Sequence, residues 1–287
     1  MFNAYYLQVL VVVGINTILA LGLNLITGIT GQLSLGHAAF MSIGAYTSAI
    51  LSLKYQLPFA VVLLSGAFMA AFFGIILGFP TLRLSGDYLA ITTLGFAEIT
   101  KVVLLNMESA GKALGLAGIP QKANVYNVYV LVIVVVFALI RLINSRVGRA
   151  FQAIREDEIA AEATGIPITR YKIMAFAIGS FLAGLGGGLY AHYLTYINPT
   201  DFGFLKSIEI LNMVVLGGMG SIPGSVLGAL ILTVVPEMLR FVQDYRMLFY
   251  GVVLIFLMIF RPNGLLGGVS LTKMLSTRKR RNLETNN

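Results

Sequence analysis

SRVGRAFQAIREDEIAAEATGIPITRYK, residues Ser145 to Lys172, is the one long polar stretch in an otherwise apolar chain, and what flanks it decides the fold. Arg146, Arg149, Arg155, Arg170 and Lys172 are set there against Glu156, Asp157, Glu158 and Glu162. Gly148 to Thr164 is rich in Ala, Glu and Arg and lacks Pro. Its apolar residues recur at helical spacing through Phe151, Ile154 and Ala161, which predicts one short helix. Gly165 can adopt the left-handed conformation of a helix stop, Pro167 bars continuation, and Thr169 is placed to cap the next helix. Such a stretch is either a solvated connector between two hydrophobic spans or a docking helix for a soluble partner.

Away from it the chain is oily. Of the 287 residues 57% are hydrophobic and 11% charged, against roughly a quarter charged in soluble domains, and mean hydropathy is +0.87. Apolar runs of about 17 to 25 residues recur along the length, each able to cross hydrocarbon as a helix. They fall at about Tyr6 to Ile26, Leu33 to Leu53, Pro58 to Pro80, Tyr88 to Asn106 and Val125 to Ile143. After the polar stretch come Ile173 to Ile197, Ser207 to Met219, Ser225 to Arg240 and Met247 to Phe260. A transmembrane β-barrel would instead show short alternating segments. The expected fold is an all-α polytopic bundle of about 8 to 10 transmembrane helices with one helical cytoplasmic loop. Residues 1–267 form the membrane domain, with 145–172 as its cytoplasmic loop, and residues 268–287 a basic tail expected to be disordered. Ser207 to Met219 and its successor are short, as in a broken or re-entrant element.

With the polar stretch inside, thirteen of the 20 Lys and Arg residues, including the RKRR run from Arg278 to Arg281, fall on the cytoplasmic side. That predicts an outside N-terminus and a cytoplasmic C-terminus. Anchoring at an anionic membrane face explains the net charge of +8 better than nucleic-acid binding does. Without Cys, disulfides, thiolate catalysis and Cys-based metal sites are excluded. Met1 to Tyr6 lacks the basic region of a signal peptide, so the first apolar run is expected to remain as a span.

Two glycine-rich passages, GITGQLSLGHAAFMSIG from Gly28 and GGMGSIPGSVLG from Gly217, space small residues three or four apart before an apolar run. They suggest a weak internal repeat with parallel halves. The second reads as close helix packing, as does the Gly179 to Gly188 run. The first reads as a broken helix near a pathway, because Thr27, Thr30, Gln32, Ser34 and His37 would otherwise face lipid. Gln32, Ser34, His37, Asp87, Thr92 and Glu98 are the candidate pathway residues, since polar groups within spans face a cavity or a partner. Structural readings stand beside them. Glu98 is set to pair with Lys101, Glu209 with Lys206, and Asp87 suits a helix N-terminus. Asn16, Asn24 and Asn212 are expected to bond neighbouring helices. His37 and His192 are far apart without ligand-spaced partners, so no metal site is expected. No HExxH, GxSxG or Walker A sequence occurs, so any nucleotide hydrolysis belongs to another chain.

SGDYLAITTLGFAEI from Ser85, GRAFQAIREDEIAAEATGIPITRYKIMAFAIGSFLAGLGGGLYA from Gly148, LGGMGSIPGSVLGA from Leu216 and FRPNGLLG from Phe260 closely resemble permease subunits of branched-chain amino acid ABC importers. The resemblance runs from about Leu21 to Gly267. It implies a non-catalytic permease in a prokaryotic cytoplasmic (inner) membrane. Its implied partners are a second related permease, two ATP-binding subunits that hold ATP and Mg, an extracytoplasmic solute-binding protein and membrane lipid. It implies no cofactor on this chain. The polar loop resembles the coupling segment that docks on the ATPase, with Arg155, Glu158, Ala161, Glu162 and Gly165 at the matching positions. Two features depart from the general pattern: Glu158 stands seven residues before Gly165, and no Leu-Pro pair follows. A further departure, MESAGKALGLAG at Met107 to Gly118, lies in the outward loop where the binding protein would dock. Urea or short amides are the alternative cargo. A stand-alone secondary transporter or channel, with Glu98 as its proton-relay carboxylate, is the alternative class.

Overall fold

The computed structural model describes residues 2–81, 86–238, 251 and 264–266. The expected last span, Gly251 excepted, and the basic tail lie outside these residues. Within them the chain is helical. The elements are α1 (Phe2–Leu23) running into a π-helix (Asn24–Ile29), α2 (His37–Tyr55), α3 (Phe59–Thr81), α4 (Asp87–Asn106) and α5 (Val125–Ile143). After α5 come α6 (Arg146–Glu156), α7 (Glu158–Ala163), α8 (Ile168–Leu194), α9 (Phe204–Gly217) and α10 (Ile222–Met238). The two strands, β1 (Leu116–Ala117) and β2 (Tyr196–Ile197), pair antiparallel and tie the α4–α5 connection to the end of α8. Five helices among the described residues are long and apolar enough to cross a membrane: Tyr5–Ile29, Phe59–Phe79, Asp87–Asn106, Val125–Ile143 and Ile168–Leu194. The protein is an all-α, multi-pass membrane protein.

α1 is the axis of the bundle, packed against α5, α8, α9 and α10, and from Val11 to Ile29 it is buried apart from Val12. α2, α3 and α8 pack on one another beside it, and glycine makes their approach possible. A Cβ on Gly66 would stand 2.6 Å from the Gly44 carbonyl, and one on Gly184 would stand 2.6 Å from the Ala70 methyl. Gly187 abuts the Met41 carbonyl, leaving no room for a side chain. This is the small-residue packing by which helices associate where apolar burial does not distinguish helix from lipid. The α9–α10 pair uses the same device at Gly217 and Gly224, as expected for the second glycine passage. On α5, by contrast, Tyr126, Ile133 and Phe137 are 78%, 67% and 58% exposed. Such an apolar outer face suits lipid or another membrane subunit.

Two expectations for the polar stretch are corrected. The single helix across Gly148 to Thr164 is two, because Asp157 leaves helical geometry at φ −158° and ψ 115°. Its carboxylate oxygen Oδ1 accepts hydrogen bonds from the Ile159 and Ala160 amides at 2.8 and 3.0 Å. An Asp oxygen taking free amides at a helix start offers the backbone a better end than continuation. Thr169 does not cap α8, which already begins at Ile168 behind Pro167.

Candidate functional site

α6 and α7 form a compact hairpin hung between α5 and α8. Ser145 caps α6, its Oγ accepting from Val147 and Gly148. Phe151 and Ile154 of α6 and Ala161 of α7 are buried, and Phe151 meets Tyr171 of α8 edge-on at 6.1 Å between ring centres. The Lys172 ammonium, 4% exposed, pairs with the Glu158 carboxylate at 2.6 Å and pins α7 to α8. Gly165, at φ +84°, reverses the chain while the Gly165 and Ile166 amides donate to the carbonyls of Glu162 and Ala161. An apolar inner face and an ion pair thus hold the hairpin as a firm knob.

The five expected coupling residues therefore have different surroundings. Glu162 faces solvent, Ala161 packs inward, Glu158 is engaged with Lys172 and Gly165 makes the turn. Arg155, itself exposed, lies along the end of the π-helix, where its Nη1 donates to the Gly28 carbonyl. Ile159 is 81% exposed at the tip, among exposed Asp157, Ala160 and Glu162. Sequence reasoning passed over it, although an apolar residue off the buried 151–154–161 face of a polar helix was the available signal.

Arg155 meets the broken part of α1. After the π-helix the chain is non-helical from Thr30 to Gly36 and resumes helix at His37, as the first glycine passage led us to expect. His37 packs beside Gly22, about two turns back along α1 from the end of the π-helix, so the irregular backbone folds back against protein, with Gly31 left exposed. Side chains satisfy it. Thr93 Oγ1 accepts from the Leu35 amide at 2.9 Å and Ser207 Oγ from the Ala38 amide at 3.1 Å. Thr27 Oγ1 donates to the Gln32 carbonyl.

Gln32 and Ser34 on this segment and His37 at its end are all buried. Gln32 Nε2 and Ser34 Oγ have no hydrogen-bond partner among the described residues, and His37 sits against the Leu19 carbonyl outside hydrogen-bonding geometry. Thr92, Asp87 and Glu98 do not join them. Thr92 bonds within its own helix to the Tyr88 carbonyl, and the neighbouring Thr93 is the α4 residue that touches the segment. Asp87 lies exposed in the first turn of α4 without a side-chain capping bond. Glu98 pairs with Lys101 at 3.3 Å and Glu209 with Lys206 at 3.1 Å, as their spacing led us to expect.

Asn24, in the π-helix, bridges to the turn between α9 and α10. Its Oδ1 accepts from the Gly220 amide at 2.7 Å and its Nδ2 donates to the Ser221 carbonyl at 3.3 Å. The two glycine passages thus meet at one point. Leu265 and Leu266, from the FRPNGLLG motif, donate their amides to the Leu216 and Gly217 carbonyls at the end of α9.

At the opposite end of α1, a cavity of about 380 Å³ opens between α1, α8 and α10. Val9, Val12 and Leu194 give it apolar wall, while Gln8, Gln121, Thr233 and Glu237 add polar groups. Tyr5 donates its hydroxyl to the Glu237 carboxylate at 2.9 Å.

Comparison with known proteins supplies the context for this geometry. Residues 5–258 match the family described as branched-chain amino acid transport system / permease component. The high-affinity branched-chain amino acid transport system permease proteins LivM of Salmonella typhimurium and of Escherichia coli K12 are each 39% identical, over 87% of this chain and 67% of the relative. BraD of Pseudomonas aeruginosa, a permease of the same description, is 29% identical over 94% of this chain and 98% of its own length. No solved structure matches the chain. The extent of the family match and the identity to LivM place this chain in the branched-chain amino acid transport system permease family.

Proposed function

We propose that the chain is the permease subunit of an ATP-binding cassette importer that carries branched-chain amino acids across the inner membrane of a prokaryote. In this reading the N-terminus is outside and the C-terminus cytoplasmic. The α6–α7 hairpin sits in a groove of a partner ATPase, with Ile159 as its apolar anchor and Asp157 and Glu162 as its polar rim. A second, related permease completes the membrane part, covering some of the apolar surface of α4 and α5, and a binding protein docks on the outer loop around Leu114 and Asn198. The cavity at the outer end, with aliphatic walls and volume for a small amino acid, is the cargo site in this reading.

The observation that carries this reading is the hairpin: a polar two-helix projection between α5 and α8, held by the Glu158–Lys172 pair and presenting Ile159, 81% exposed. Closure of the ATPases moves such a lever as a body and rocks α5 and α8 with it. The test is uptake of labelled leucine into proteoliposomes holding this chain, its related permease and the ATPases. Uptake is expected to require internal ATP and the binding protein. Uptake that persists without the ATPases and collapses with an ionophore would make the chain a secondary transporter. Uptake of acetamide or urea in preference to leucine would change the cargo but not the class.

A further inference from the structure

Three glycines of the two glycine passages converge on one arginine. The hydrocarbon stem of Arg155 lies over Gly31, where an added Cβ would come within 3.2 Å of Cγ. Its Nη1 bonds the Gly28 carbonyl and occupies the space a side chain on Gly220 would need, 2.5 Å from where that Cβ would be. Gly31 and Gly220 also hold φ of +77° and +88°, which L side chains rarely adopt. Gly28 has its own constraint, since Asn24 Oδ1 and the Gly220 amide fill the place of any Cβ. The Gly28 carbonyl belongs to the last turn of the α1–π helix, where carbonyls lack partners within the helix and the dipole favours a cation. A cavity of about 330 Å³ lined by Ile29, Gln152, Ala153, Arg155, Glu156 and Gly220 flanks the contact, so the guanidinium has room to shift.

We propose that Arg155 is a positioning residue that transmits movement of the α6–α7 hairpin to the two backbone breaks of the bundle. It pulls on the end of the π-helix through Gly28, and Asn24 passes that displacement to the α9–α10 turn at Gly220 and Ser221. Arg155 thus belongs to the inner side of the coupling element, while Ile159 and Glu162 belong to its outer side. This rests on the reading of the hairpin as the ATPase-facing lever, and it adds the route from that lever to the broken helix beside Gln32, Ser34 and His37.

Two readouts test it. Amide hydrogen exchange on the purified chain in detergent needs no partner subunit. Arg155→Ala is expected to speed exchange roughly tenfold or more at residues 24–31 and 218–222, and to leave α2, α3 and α8 unchanged. No change at those two segments would overturn the linkage, whatever the transporter's class. The second readout is leucine transported per ATP hydrolysed in the reconstituted complex, for Arg155→Ala, Asn24→Ala and the double variant. Each single variant is expected to lower the ratio several-fold while ATPase subunits still co-purify, and the double variant to be no worse than the poorer single, as for two members of one route. Additive losses, or an unchanged ratio, would overturn the transmission. Failure of the unaltered chain to bind ATPases would overturn the importer reading and the transmission with it, while the exchange result would still decide whether Arg155 holds the breaks.

Discussion

At the scale of single residues, the ion pair between Glu158 and Lys172 illustrates how the polar loop is built. The two partners are unequal, with Lys172 5% exposed and Glu158 44% exposed at the side chain. Removing the carboxylate leaves an ammonium buried without its counter-charge, whereas removing the ammonium leaves a carboxylate that water already reaches. Glu158→Gln is therefore expected to destabilise the protein by about 1–3 kcal/mol. Lys172→Met is expected to cost less than about 1 kcal/mol after solvent screening. Thermal unfolding in detergent measures both. Equal losses would mean that the pair acts as an ordinary surface bridge. The same inequality explains why charge alone misleads here, since Glu158 looks as available to a partner as Glu162 until its neighbour is seen.

At the scale of elements, the bundle depends on where backbones touch. Gly44 lies against Gly184 with no space for a Cβ, and Gly66 closes the triangle. Gly44→Ala and Gly184→Ala are expected to force α2, α3 and α8 apart at a cost on the order of 1–3 kcal/mol or more, because backbone cannot yield as a side-chain end can. Gly95 on α4 provides the contrast, with nothing within 4 Å of its virtual Cβ. Gly95→Ala is expected to be neutral or to stabilise by about 0.5–1 kcal/mol through helix propensity. Urea titration of the helical signal would separate the two classes. A similar loss at Gly95 would show that glycine acts through flexibility instead of close approach.

At the scale of the whole molecule, periodicity and apolar run length made the helical, membrane-crossing character plain, since hydrocarbon admits little else. The break after Gly28 was also legible, because Thr27, Thr30, Gln32 and Ser34 are polar groups that a lipid-facing helix does not carry. The hidden features are those set by contacts between distant parts of the chain. Asp157 splits a helix that propensity would have run through. Thr93, not Thr92, faces the broken segment because the rotation of α4 is fixed by its packing on α2. Nothing local to Arg155 says that its partner is a carbonyl 127 positions earlier.

In the proposed importer, ATP-driven motion enters the permease through the outer face of this hairpin. Because the chain has no cysteine, single cysteines in place of Ile159 and of Leu114, 81% and 85% exposed at opposite ends of the molecule, give a direct measurement. Each is coupled to a short photo-crosslinker in membranes that hold the whole transporter. Position 159 is expected to capture an ATPase subunit and position 114 is not. Capture of no ATPase at position 159, with the complex intact, would contradict this route of entry.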